Sequence, residues 1–188
     1  MIPATLIERC ARKEPKAQYE LYKALYPLMM SICSRYERDK QEAAARMNQG
    51  FLKVLEGLDR IRPEVPFKAW VSRVMINTVI DEHRRTADRR AHEVPQTGNG
   101  IEQGNDTNEY LREMEAEAFA KLLLRVPTVS RHVFNLFAID GYSHAEIAEL
   151  LSISTGTSKW HVSHARSILQ KALAEMAVVP AETRTQHR

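Results

Sequence analysis

Ser143 and Glu146 set the tightest constraint on what this chain can fold into. A serine followed three residues later by an acid is a capping box, in which hydroxyl and carboxylate satisfy the orphan amides at a helix start. The box opens a short, one-sided helix with Ile147, Leu150 and Leu151 at helical spacing. Ser152-Ile153-Ser154 then reads as a three-residue turn, with Ile153 as the apolar plug that seats it. Ser154 and Thr155 are caps for a second helix, and Gly156 lets another backbone come close. Gly141 to Lys171 is therefore a helix-turn-helix. It commits the neighbouring chain to helices that can cover its inner face.

On a wheel at about 100° per residue, the second helix gathers Val162, Ala165, Leu169, Ala172, Leu173 and Met176 on one face. Trp160, Ser163, His164, Ser167 and Lys171 fall opposite, with Lys159, His161, Arg166 and Gln170 on the flanks. A free-standing protein gains nothing by turning a tryptophan outward. A helix whose N-terminal half enters a DNA major groove does gain, since that half reaches base edges while basic flanks hold phosphates. The bland alternative is an ordinary helical hairpin whose outward tryptophan packs on a neighbouring domain.

Composition narrows the class. The 188 residues allow one domain or two small ones, 44% are apolar, and aromatics are only 7%. Strand-like alternation is scarce and helix formers dominate, so an all-α protein is expected. The net charge of +3 is too small for binding DNA by charge alone, which makes any DNA contact local or assisted by a second macromolecule. Cys10 and Cys33 are far apart and form no CxxC, which fits a reducing cytoplasm. No apolar run is long enough to span a membrane, and Glu8 and Arg9 interrupt any signal-peptide core. GxSxG, HExxH and P-loop motifs are absent, so no catalytic site, cofactor or small-molecule substrate is expected. His161 and His164 could share a metal, but no cysteine or carboxylate stands close in sequence to complete a site, so none is assigned.

Periodicity predicts helices over Ile2–Ala11 and Lys16–Tyr36, the latter kinked at Pro27. Tyr19, Tyr22, Leu25, Tyr26, Met29, Met30 and Cys33 form its apolar stripe, read as core. A third helix runs over Lys40–Leu58 with Met47, Phe51, Leu52, Val54 and Leu55 apolar. Arg60 to Pro66 must be loop, because two prolines forbid a helix across it. Phe67–Arg85 is a long helix gripped from more than one side by Val71, Val74, Met75, Thr78 and Val79 and by Ile76 and Ile80. Arg73, Asn77 and Arg84 line another face, beside Trp70 and Asp81. Arg84, Arg85, Arg89 and Arg90 end it, either as a solvated helix end or as a phosphate patch. From Ala91 to Thr107 the chain turns rich in Gly, Asn and Gln without apolar period, a flexible linker. Helices Glu109–Arg125 and Ser130–Ala138 follow and supply the core for the helix-turn-helix. The expected organisation is thus a first domain over 1–90, a linker over 91–107, a four-helix domain over 108–176 and a tail over 177–188.

Two of these stretches together resemble one family. FKAWVSRVMINTVIDEHRR, from Phe67, resembles the promoter-melting helix of bacterial sigma factors. DGYSHAEIAELLSISTGTSKWHVSHARSIL, from Asp140, resembles their C-terminal helix-turn-helix. Their order and spacing are similar to those of the extracytoplasmic-function branch, which keeps only these two domains. The resemblance implies a protein that is not an enzyme. Such a protein binds core RNA polymerase and promoter DNA, captures an unpaired minus-ten strand with its first domain, and reads the minus-thirty-five element as duplex with its second. An anti-sigma factor is a further partner it allows.

Position by position, the resemblance puts Asn77 at the minus-ten strand, Ile61 in the loop beside a flipped base, and Arg73, Arg84 and Arg85 along the same DNA. Trp70 matches a tryptophan of the pattern and is read as structural. Lys159, Trp160, Ser163 and His164 match groove-reading positions, and Thr157, His161 and Arg166 fit phosphate roles. Ala44, Ala45, Asn48 and Phe51 match the segment that contacts polymerase. The departures are plain: Ala44 and Ala45 stand where acids are common, Asn48 where glutamine is common, Ile61 where an aromatic is frequent, and Trp160 and His164 where small and arginine residues are commoner. The 17-residue linker can reach about 55–60 Å when extended, similar to a spacer of about 17 base pairs at 3.4 Å each. The competing readings are a stand-alone helix-turn-helix regulator without polymerase docking, and an interaction protein that reads no DNA.

Overall fold

The computed structural model of the chain describes residues 2–62, 64–90 and 116–178, with side chains over 2–62, 64–85 and 118–176. The expected linker, the start of the helix from Glu109 with Leu111 and Met114, the side chains of Arg89 and Arg90, and residues 179–188 lie outside these. The described residues are helical, with no strand among them, and no helix there is long and apolar enough to cross a membrane. The chain divides into two compact units, residues 1–95 and 96–188.

The first unit packs α1 (Ala4–Ala11), α2 (Pro15–Tyr36), α3 (Lys40–Gly57) and α4 (Phe67–Arg90). Helix α2 lies against α1, α3 and α4, and α3 lies against α4. Helix α2 runs on through Pro27 without ending. Its buried stripe is Ala17, Leu21, Leu25, Met29, Ile32, Cys33 and Tyr36. That corrects the expected one. Tyr19 and Tyr26 are 62% and 43% exposed, and Tyr22 and Met30 half-buried. A phenol carries both ring and hydroxyl and can serve at the margin, as Tyr19 and Tyr26 do, whereas Tyr36 at the end of the helix is fully buried. Leu52 of α3 is likewise 60% exposed, and Ala43 and Gly50 take the seam beside Met47 and Val54.

Asp39 caps α3 by accepting the Gln41 amide. The helix stops at Gly57 and passes into a tight 3-10 turn, Leu58–Arg60, so Arg60 is not yet loop. Gly57 is dictated by packing: a Cβ there would come within 2.9 Å of Trp70 Cζ2. Trp70, stacked on Phe67 at 6.0 Å, thereby fixes the start of α4 against the end of α3. Both apolar strips of α4 are used, for Val71, Met75, Ile76, Val79 and Ile80 are buried with Thr78, while Val74 stays half-buried. Thr78 returns its hydroxyl to the Val74 carbonyl at 2.8 Å.

The second unit contains α5 (Ala116–Leu123), α6 (Thr128–Phe134, prolonged by a π-helical turn Asn135–Ile139), α7 (His144–Leu151) and α8 (Thr155–Val178). Helix α8 continues two residues into the span assigned to the tail. Leu122, Leu123, Val126 and Phe134 meet Ala165, Leu169 and Ala172 in one core, with Phe119, Ile168 and Leu173 at its edge. Helices α5 and α6 thus do supply the floor for the helix-turn-helix. Ser130 through Leu136 are all buried, polar residues included. Over this run the helix is covered all round and shows no polar stripe, which is why its sequence hides its depth.

Candidate nucleic-acid interface

The Ser143 cap forms as its sequence requires. Its hydroxyl accepts the Glu146 amide at 3.3 Å, and the Glu146 carboxylate accepts both the Ser143 amide and its hydroxyl at 2.8 Å. Helix α7 ends at Ser152, which turns left-handed at φ 56° so that the Ile153 amide reaches back to the Ala148 carbonyl at 3.0 Å. Ser154 then caps α8, accepting the Thr157 amide at 2.9 Å and sharing a 2.8 Å bond with the Thr157 hydroxyl. Between them Ile147, fully buried, and half-buried Ile153 fix the angle between α7 and α8.

Helix α8 buries Val162, Ala165, Leu169 and Ala172, as its wheel requires. Met176 is largely exposed, because the core stops one turn before it. Lys159 is exposed, and Trp160, Ser163, His164 and Arg166 are half-buried on the outward side. Trp160 and His164 lie nearly parallel, 10° apart with centroids at 4.8 Å, and His161 meets the indole edge-on at 4.9 Å. No acidic residue occurs between Glu149 and Glu175. The outward side of α8 thus offers an aromatic pair among hydroxyls and positive charge, with no carboxylate on that helix before Glu175.

His161 turns toward the interior, where its Nδ1 shares a 2.9 Å hydrogen bond with Ser130 Oγ. Burial and then the neighbouring His164 push its pKa down, so it is neutral at physiological pH and has only its other ring edge to offer. A helical wheel places His161 on a flank, and the serine on α6 that claims it lies beyond any single-helix argument. Arg166 lies 5.9 Å from the Phe137 ring centroid, near the outer limit of a cation–π contact. Phe137 stacks at 4.3 Å on His144, whose Nδ1 bonds the fully buried Ser158 at 3.0 Å. Burial, then Lys159, then Arg166 hold His144 below its ordinary pKa. Ser130, His144 and Ser158 therefore position the helix-turn-helix, and sequence reasoning passed over them. Ser158 was findable, being the buried stripe of α8 carried back one turn from Val162.

In the first unit, Arg73, Asn77, Arg84 and Arg85 are all exposed along α4. Asp81, on the same line, pairs with Lys53 at 3.3 Å, so its charge is partly answered within the protein. Ile61 is half-buried in extended backbone just after the 3-10 turn. On α3, Ala45 and Asn48 are exposed and Ala44 half-buried. Phe51 is only 8% exposed, its ring held edge-on to Tyr22 at 5.1 Å, while the Tyr22 hydroxyl donates to Asn48 Oδ1 at 3.2 Å. The structure thus groups Asn48 and Phe51 around Tyr22, which is half-buried at the surface of the helix pair and not part of its core.

Comparison with known proteins agrees with this division. Residues 21–90 match the family model for Sigma-70 region 2, and residues 116–169 the one for Sigma-70, region 4. The RNA polymerase sigma-H factor of Pseudomonas aeruginosa is 25% identical over 181 residues, covering 89% of this chain and 92% of that protein. The ECF RNA polymerase sigma-E factor of Escherichia coli K12 is 25% identical over 173 residues, covering 87% and 90%. The co-crystal structure of the sigma factor RpoE in complex with the anti-sigma factor NepR from Bartonella quintana matches with a TM-score of 0.51 at 18% identity. It covers 83% of this chain and 96% of that one, and at such identity it shows the fold alone. With region 2 ahead of region 4 over well over half its length, and such relatives along nearly all of it, this chain belongs to the sigma-70 family of bacterial RNA polymerase sigma factors, in the extracytoplasmic-function branch.

Proposed function

We propose that this sigma factor divides promoter recognition between its two units, each using the exposed line described above. It binds core RNA polymerase and directs it to promoters through binding alone, without catalysis, in the cytoplasm. One observation carries the reading: a region 2 helix with Arg73, Asn77 and Arg84 exposed in line, and a region 4 helix without an acid from Thr155 to Ala174, occur in one chain. In the first unit Asn77 reads the unpaired minus-ten strand, Ile61 flanks the flipped base, and Arg73, Arg84 and Arg85 hold phosphates. In the second, Lys159, Trp160, Ser163 and His164 face duplex bases of the minus-thirty-five element, with Thr157 and Arg166 toward the backbone, while His161, turned inward on Ser130, steadies the helix. Ala44, Ala45, Asn48 and Phe51 meet the polymerase. Without the acids common there, that contact leans on apolar packing around Tyr22 and exposed Leu52.

Tethering both units to one polymerase raises the effective concentration of each for its own element. That is how a chain of such small net charge can bind selectively. The Bartonella structure pairs its sigma factor with an anti-sigma factor, and a partner of that kind is a candidate regulator here. Reconstitution tests the reading: the chain should co-purify with core polymerase and support run-off transcription from a subset of genomic promoters. A chain that footprints on DNA but never joins core polymerase would instead be a stand-alone regulator.

A further inference from the structure

The aromatic pair on α8 carries more than a general role in DNA contact. Trp160 is half-buried on the outward side, stacked on His164 and at 73° to the His161 ring. On the same side of the helix, within about one turn, lie exposed Gly156 and Lys159 and half-buried Ser163, none of them aromatic. The indole offers one N–H donor and no acceptor, so it cannot make the two-point hydrogen bond that identifies guanine or adenine. What it offers is a flat apolar surface. Among the groups that bases expose in the major groove, the apolar one is the C5-methyl of thymine. The stack on His164 already restricts the indole, so less rotamer freedom is lost when that methyl is met.

We propose that Trp160 is a specificity-determining residue that selects a thymine in the upstream duplex by packing on its C5-methyl group, with His164 holding the indole in place. This rests on the reading of α8 as the duplex-reading helix. It predicts a base preference that neither a lysine nor a serine at this place would impose, since both would answer to hydrogen-bonding groups.

The test uses holoenzyme assembled from the full chain and core polymerase. Upstream duplexes are selected from a randomised library, and each thymine that selection fixes is replaced singly by deoxyuridine, which deletes only the methyl. At one position the native chain should lose about fourfold in affinity, the factor expected for one buried methyl group. With Trp160→Ser the same replacement should cost nothing, whereas Trp160→Phe, which keeps an apolar ring, should retain the preference. At that position 5-methylcytosine should bind better than cytosine, again only when the aromatic ring is present. Selection that fixes no thymine, uracil tolerated at every fixed thymine, or a methyl preference surviving in Trp160→Ser each overturns the proposal. A sequence preference that Lys159→Ala still relaxes would then leave the duplex-reading role of α8 standing without it. If no upstream sequence is selected and Lys159→Ala changes nothing, that role and this inference fall together.

Discussion

Replacing Ser143 by alanine removes one defined set of contacts from the helix-turn-helix, so its cost can be worked from the geometry. The Ser143 hydroxyl accepts the Glu146 amide at 3.3 Å and donates to the Glu146 carboxylate at 2.8 Å. The variant keeps the other half of the box, because the carboxylate still accepts the Ser143 amide at 2.8 Å. Ser143 is exposed, so water can reach the freed groups and no buried polar atom is stranded. The loss should therefore sit near the usual cap value of about 1 kcal/mol. For a unit of this size that lowers the melting temperature by about 4–8 °C. Trp160 fluorescence, followed in a Trp70→Phe background, reports the second unit alone. Ser143→Thr should recover most of the loss, because threonine keeps a hydroxyl that both accepts the Glu146 amide and donates to its carboxylate. At temperatures where both proteins are folded, duplex selectivity should be unchanged. An unaltered melting temperature, or selectivity lost without loss of stability, would refute the argument that Ser143 acts by capping α7.

The other predictions concern function and pH. Lys159→Ala and His164→Ala should each weaken specific duplex binding by about 1–3 kcal/mol if they touch bases; unchanged discrimination between matched and mismatched duplexes in both would count against that face. Asn77→Ala should spare binding to minus-thirty-five duplex and impair promoter opening, so normal permanganate reactivity near the start site would contradict its assigned role. His144 and His161 both have folded pKa values held below the ordinary 6.5, mainly by burial. The unfolded chain therefore takes up protons that the folded unit does not, and their contribution to stability is whole above about pH 6.5 and lost as pH falls through the folded values. Thermal melts of the second unit should shift downward below that pH, and a double His144→Asn, His161→Asn variant should flatten the dependence.

Much of the fold is legible in the chain because local chemistry and periodicity agree. The capping box at Ser143 forms, and Val162, Ala165, Leu169 and Ala172 face the core as one wheel demands. The outward line of Arg73, Asn77 and Arg84 on α4 follows in the same way from spacing. In each case a single helix carries the whole signal, so no knowledge of its neighbours is needed.

Tertiary structure decided what depends on how many neighbours a helix has. The seven residues from Ser130 to Leu136 are buried together because neighbours cover that run all round, and a periodic pattern cannot express burial on all sides. Tyr19 and Tyr26 match an apolar stripe, yet α1, α3 and α4 leave them at its margin. The inward turn of His161 was set by Ser130, thirty-one residues away along the chain, and the Phe137–His144–Ser158 assembly likewise joins three separate helical segments. Sequence fixes which face of each helix is sticky. Which polar groups on that face find one another is settled only when the helices are packed, because hydrogen bonds require ångström-scale placement that no one-dimensional period encodes.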